Sequence, residues 1–264
     1  MTIKYNYKYT LCMLFVLIIM AFSNVSQVYA LTVQVSPDNV AINLTYNGAK
    51  LQVSGNSKAG DDLIIRITSV NGDAHYKYIG KAGGLVWMKK GDISFKNVPG
   101  IYMLYSSRDL EHLFSLAEQK VNLIGFDALK ETLEIETDNE EILKDEARWE
   151  NEFIRFKEKE NLYITQTGTV TRKHGQDSDT YQVEVPWPYQ APIGEYTVEA
   201  MAVRGGKIVD STEASFTVER AGLVRQLTDM AFNQAALYGI MAVIIAIIAG
   251  FAVGMIFKKG GGAH

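Results

Sequence analysis

Cysteine is all but missing from this sequence: the single one, Cys12, lies in an apolar run near the N-terminus. If that run is removed as a leader, no disulfide is available to the remaining chain. Lipid attachment at Cys12 is disfavoured, because Tyr9-Thr10-Leu11 before it lacks the small residue that lipobox processing needs. Proline is scarce too, at 5 of 264 residues, and only 21% of residues are charged. A proline-rich or highly charged stalk is therefore excluded, and the hydrophobic content of 47% supplies the apolar surface that offsets chain entropy. Basic residues are also in short supply. Removing Lys4 and Lys8 with the leader, and Lys258 and Lys259 behind the last apolar run, leaves 22 of the 26 basic residues against 30 acidic ones, a balance of −8. Such a surface repels nucleic acid and anionic lipid alike, since both are held through clustered Lys and Arg, so no nucleic-acid partner is expected.

Two apolar segments define the topology. Lys4 and Lys8 precede the run 11–22, and Val28-Tyr29-Ala30 supplies small residues for cleavage after Ala30, the three regions of a secretory signal. An uncleaved span is the weaker reading, because the run falls short of the ~20 apolar residues a membrane helix needs. At the other end, residues 235–257 carry no charge, and Lys258-Lys259 follow directly. This segment is long enough to span, and the positive-inside bias puts the tail in the cytoplasm and residues 31–234 outside, a single-pass type I arrangement. Tyr238, Lys258 and Lys259 are its interface anchors. Within it, Ala242, Ala246, Gly250 and Gly254 recur every fourth residue. That small-residue stripe permits close backbone approach and reads as a packing face for a partner membrane helix or a second copy.

Between these segments the pattern is period two. Leu31, Val33 and Val35, then Val40, Ile42, Leu44 and Tyr46, lead through Asn47-Gly48 to Ala49, Leu51 and Val53, a hairpin signature. A second hairpin is expected from Leu63, Ile65 and Ile67 through Asn71-Gly72 to Ala74, Tyr76 and Tyr78. Further strands are expected at 85–88, 93–95 and 101–105. The period then turns helical: one helix over 107–120 capped by Ser107, a short one over 127–133, and a long one over 139–162. Trp149, Phe153 and Phe156 form an aromatic seam on the long helix, which reads as a covering helix or as a surface facing a partner. Strands return at 162–171, 180–185, 195–203 and 207–218, with Gly205-Gly206 turning the last hairpin. The run Pro192 to Val198 matches the turn into a late strand of an immunoglobulin- or fibronectin-like sandwich, with Tyr196 placed to bond back to the corner.

The expected fold is mainly β: a sandwich ectodomain with a helical insertion at 107–162, flanked by β-rich parts at 31–106 and 163–221. A juxtamembrane helix (222–234), the membrane helix (235–257) and a tail (258–264) complete it. Two β modules linked by the helices is the open alternative.

No catalytic, cofactor or metal motif stands out. His75, His112 and His174 lack ligand spacing, and Glu111-His112 point about 100° apart on a helix. Gly80, Gly83 and Gly84 around Lys81 form neither a P-loop nor a dinucleotide fingerprint. The Asn43-Leu44-Thr45 sequon lies in an expected strand, and no Gly-x-Ser-x-Gly elbow occurs.

Four stretches, in the same order along most of the mature chain, are similar to a family of bacterial transmembrane proteins best known from alphaproteobacteria. They are Phe95-Lys96-Asn97-Val98-Pro99-Gly100-Ile101-Tyr102, Glu160-Asn161-Leu162-Tyr163, the Pro192 to Val198 turn, and Gly222-Leu223 leading to Leu237-Tyr238-Gly239. The resemblance implies a Gram-negative inner-membrane protein facing the periplasm, associated with permeases resembling sulfite or sulfonate exporters. It carries over no functional residue. The function expected is a non-enzymatic accessory protein without a cofactor, bound through its helix to an integral-membrane permease. The alternatives are a homo-oligomeric envelope scaffold and an envelope enzyme whose site leaves no local motif.

Overall fold

A computed structural model describes residues 30–258; the expected leader up to residue 29, with Cys12, and the expected tail from Lys259 to residue 264 lie outside them. The strands, in chain order, are β1 (Gln34–Ser36), β2 (Asn39–Ile42), β3 (Ala49–Lys58), β4 (Asp62–Ser69), β5 (Asn71–Ala82), β6 (Val86–Pro99), β7 (Tyr102–Ser106), β8 (Glu134–Glu136), β9 (Tyr163–Gln166), β10 (Thr171–Lys173), β11 (Ser178–Trp187), β12 (Gly194–Arg204) and β13 (Lys207–Arg220). The helices are α1 (Leu110–Leu113), α2 (Leu116–Val121), α3 (Phe126–Lys130), α4 (Glu140–Leu143), α5 (Glu146–Lys159), α6 (Gly222–Asn233) and α7 (Ala235–Lys258).

Two sheets carry the core, with strand orders β1-β3-β11-β10 and β2-β13-β12-β4-β7-β9. Alternation explains their facing sides: along β11, Tyr181, Val183, Val185 and Trp187 are buried while the residues between them are exposed. Trp187 crosses the gap and meets Tyr196 of β12 at 4.7 Å and Phe216 of β13 at 4.9 Å, both edge-on. Strand β4 is buried on both faces because its outer side is roofed, with Arg66 donating to the Asn122 carbonyl at 2.8 Å and to Glu199 Oε2 at 3.0 Å. The corner bond is present, Tyr196 Oη donating to the Pro192 carbonyl at 2.5 Å. The last hairpin turns as read, with Arg204 opposite Lys207 and positive φ at both Gly205 and Gly206.

Both sheets mix strands from the two ends of the chain, so the two-module alternative is not what the chain builds. Neither early hairpin forms. Strand β2 runs parallel to β13 in one sheet while β3 pairs with β1 and β11 in the other, so Asn47-Gly48 lies in a connection between sheets. Gly48 is required there: at φ 92°, any Cβ would lie 2.8 Å from the Trp187 carbonyl oxygen. Asn71-Gly72 lies inside β5, beside a bulge, and β5 pairs with β6 in a third sheet of order β5-β6-β8. The strands expected at 85–88 and 93–95 fall, but for Leu85, within one strand, β6. The segment expected as a strand at 162–171 divides, β9 running parallel to β7 and β10 antiparallel to β11.

The expected helices are shorter. The one over 107–120 breaks at extended Phe114 into α1 and α2, and Ser115 caps α2 by accepting from Glu118 N at 3.3 Å. Ser107 instead donates to Asp62 Oδ1 at 3.1 Å. The long helix is α4 and α5, separated at Asp145. The sequon lies outside any strand, where Asn43 Oδ1 accepts from Thr45 N at 2.9 Å.

Candidate membrane and docking surfaces

Helix α7 is 24 residues long, about 36 Å at ~1.5 Å per residue, against a hydrocarbon core of ~30 Å. Its span Ala235–Met255 has a mean hydropathy of 2.6 and no part of it is buried against the other described residues. Apolar side chains point in every direction, as lipid demands and water forbids. Within it Ala242, Ala246, Gly250 and Gly254 form the expected four-residue stripe, and a side chain grown at Gly250 or Gly254 would meet none of the other described residues within 4 Å. Tyr238 sits in the first turn, its N–H bonded to the Gln234 carbonyl at 3.0 Å, and Lys258 is the last residue of the helix. A break at Gln234 divides α7 from α6.

A family model described as "Putative transmembrane protein (Alph_Pro_TM)" matches residues 30–259. The chain belongs to that family. Searches among curated proteins and among solved structures found no match. Membership in this transmembrane family agrees with α7, so the protein is membrane-associated with a β-rich body.

In this family member the aromatic seam of α5 meets the chain's own β5–β6 ribbon. Trp149 lies edge-on to Tyr78 at 4.9 Å, Phe153 stacks on Phe95 at 4.2 Å, and Phe156 meets Tyr76 at 5.3 Å. Phe153 is only 3% exposed, so it cannot face a partner, whereas Phe156 keeps 44% of its surface. The seam turns towards the ribbon because the ribbon needs a cover on one face, with Phe153 at its buried centre and Phe156 at its open edge. Lys157 closes the foot of this layer: its Nζ donates to the Gly100 carbonyl at 3.3 Å and sits 5.6 Å above both Phe153 and Tyr163. Burial lowers its pKa.

The other end of the sandwich gathers charge. Asp61, Asp62 and Asp179 are buried. Arg204 donates to Asp61 Oδ1 from Nε at 2.7 Å, while Arg108 and Arg172 converge on Asp62. His174 Nδ1 lies 3.0 Å from Asp179 Oδ2, which also accepts from Gly60 N at 3.3 Å. Burial pushes the Asp179 carboxyl up, but the Gly60 N–H and the His174 ring outweigh it and hold it below the usual range. These contacts tie the β3–β4 loop to β10 and to the β12–β13 turn, and the Ser107 hydroxyl joins them by donating to Asp62 Oδ1. His75 bonds Ser94 at 2.7 Å on the ribbon and His112 lies 3.8 Å from Asp109, so the three histidines stay apart. Among the described residues no group of three His, Cys, Asp or Glu has metal-site geometry.

One surface was missed in the sequence. A strand is expected at 85–88 and β6 does begin at Val86, yet Leu85, Val86, Trp87 and Met88 are all exposed at the ribbon tip. The signal was available: four large apolar residues without alternation, directly after Gly83-Gly84 and before Lys89-Lys90.

Proposed function

We propose that this protein is a non-enzymatic accessory subunit of a polytopic membrane protein, held in the bacterial inner membrane with its β-rich body in the periplasm and its C-terminus in the cytoplasm. We read the body as an immunoglobulin-like sandwich carrying the ribbon and helices as an insertion, since its strand orders set the first and second sheets as that class does. The observation that carries the functional reading is the stripe of Ala242, Ala246, Gly250 and Gly254 on a helix of which no part is buried against the other described residues. Small residues at this spacing let two helix backbones approach closely, and in lipid such packing is what drives association. Lys258 and Lys259 at the end of the span support the orientation through the positive-inside bias. The partner is an anion permease of the sulfite or sulfonate exporter kind, which is what the family resemblance implies.

The experiment is affinity purification of the full chain from membranes in mild detergent, beside the variant carrying Gly250→Leu and Gly254→Leu. The wild type is expected to retain a polytopic partner that the variant loses. Recovery of that partner by both forms, or by neither, contradicts the reading. A crosslinked dimer with no larger partner replaces it with a homo-oligomeric scaffold.

A further inference from the structure

The β5–β6 ribbon leaves the sandwich at the end from which the membrane helix also leaves. Ser69 at the end of β4 lies opposite Tyr196, near the start of β12, and Gly194 lies opposite Val218, just before β13 runs out into α6 and α7. At its root the ribbon keeps the pairing of β4 and β7, with bulges following at Gly72–Ala74 and Tyr78–Ile79. Thr68 faces Tyr102, Asn71 faces Pro99, and Ser69 N bonds the Ile101 carbonyl between them at 3.3 Å. Twelve residues of β5 reach up to about 40 Å at ~3.3 Å per residue. Helix α6, the spacer before the membrane helix, has 12 residues and measures only about 18 Å at ~1.5 Å per residue. The ribbon is thus long enough to cover the distance that the spacer sets.

The tip has the composition of a membrane-interface element. Leu85 is 86% exposed, Trp87 66% and Val86 65%, with Met88 and Ile79 also open. Lys81 lies 5.4 Å over the Trp87 ring, pairing a cation with an amphipathic aromatic of the kind that settles at headgroup depth. Between Asp73 and Asp92 the chain carries Lys77, Lys81, Lys89 and Lys90 and no acidic residue, against the acidic balance of the whole, with Lys89 Nζ donating to Asp92 Oδ2 at 2.6 Å at the edge of this stretch. An acidic body is repelled by anionic lipid, so this basic, apolar tip is the part whose charge suits that surface. The same chain is anchored in a bilayer, which keeps that surface at high effective concentration.

We propose that Leu85, Val86, Trp87 and Met88, with Lys81 and Lys89, form a second membrane contact that inserts into the headgroup layer of an anionic bilayer. It rests on the membrane helix alone and not on the permease reading.

The test uses the full chain in vesicles of phosphatidylcholine and phosphatidylglycerol bearing brominated acyl chains, which quench tryptophan on contact. Trp87 is read as the difference between wild type and Trp87→Phe, and insertion of α7 is checked separately by resistance to alkaline carbonate. The Trp87 component is expected to be quenched roughly threefold, with most of that lost in Leu85→Asp/Val86→Asp, in Lys81→Glu/Lys89→Glu, and in phosphatidylcholine alone. Unchanged emission from packed Trp149 and Trp187 certifies that the variants fold. Absence of Trp87 quenching while α7 is inserted overturns the proposal, as does equal quenching in the variants. Shielding of Trp87 only when a co-purified membrane protein is present makes the tip a protein-docking surface and overturns it as well.

Discussion

At the end of the sandwich far from the membrane helix, buried Asp61, Asp62 and Asp179 are each matched by an arginine, a histidine or a backbone N–H, whereas at the near end four large apolar side chains stand in solvent among lysines. Buried charge that finds its partners within the chain joins loops, although Asp179 Oδ1 is buried with no hydrogen-bond partner among the described residues. Exposed apolar surface finds no such partner, and it marks where a second phase or a second molecule fits. Substitutions at the far end should therefore act on stability, and those at the near end on attachment.

The largest effect is expected from alkali, which acts on the sandwich and not on the tip. Burial pushes Tyr102, Tyr105 and Tyr196 up to about 12. Because these folded values lie above the unfolded value near ~10, the stability they contribute is complete below pH ~10 and is lost towards pH ~12, at about 3 kcal/mol for each tyrosine. Lys157 works in the opposite direction, since its lowered folded value adds stability as pH rises towards its unfolded value, and it offsets part of the loss. Tyrosinate absorbance and the β-sheet circular dichroism signal should change together in that window; titration with the dichroism intact would separate the tyrosines from the core.

Next is Phe153→Ala, which empties the centre of the layer between α5 and the ribbon. It should cost about 3–5 kcal/mol. Hydrogen exchange is expected to speed up in β5 and β6 first, with β11 and β12 retaining protection; uniform loss would mean that ribbon and sandwich unfold as one unit. Asp62→Ala, which strips Arg108, Arg172 and Ser107 of their shared acceptor, should cost about 3 kcal/mol. Calorimetry checks this. The smallest effect belongs to the tip, where Leu85→Asp/Val86→Asp should leave the stability of the detergent-solubilised protein within about 0.5 kcal/mol.

The membrane helix and the late strands were legible because their signals are local: an uninterrupted apolar run, strict alternation in β11, a Gly-Gly turn, a tyrosine four residues after its acceptor. Strand partners were not. Asn47-Gly48 and Asn71-Gly72 look alike in sequence, yet one bridges two sheets and the other sits within a strand, and only long-range pairing with β13 and β6 decides which. The helices shortened for a similar reason, Phe114 being drawn out of helical geometry into the buried core. The small-residue stripe was plain from its spacing. The ribbon tip was not, because β-rich apolar residues are read as buried unless the fold leaves them at the end of an unsupported hairpin.

The contrast between the two ends is tested most directly by hydrogen exchange on the full chain, compared between anionic-lipid nanodiscs and detergent micelles. Added protection is predicted in residues 79–90, with none in the far loops around Asp61 and Gly205. Protection gained at the far loops, or none gained at the tip, would contradict the assignment of the near end as the working surface of this protein.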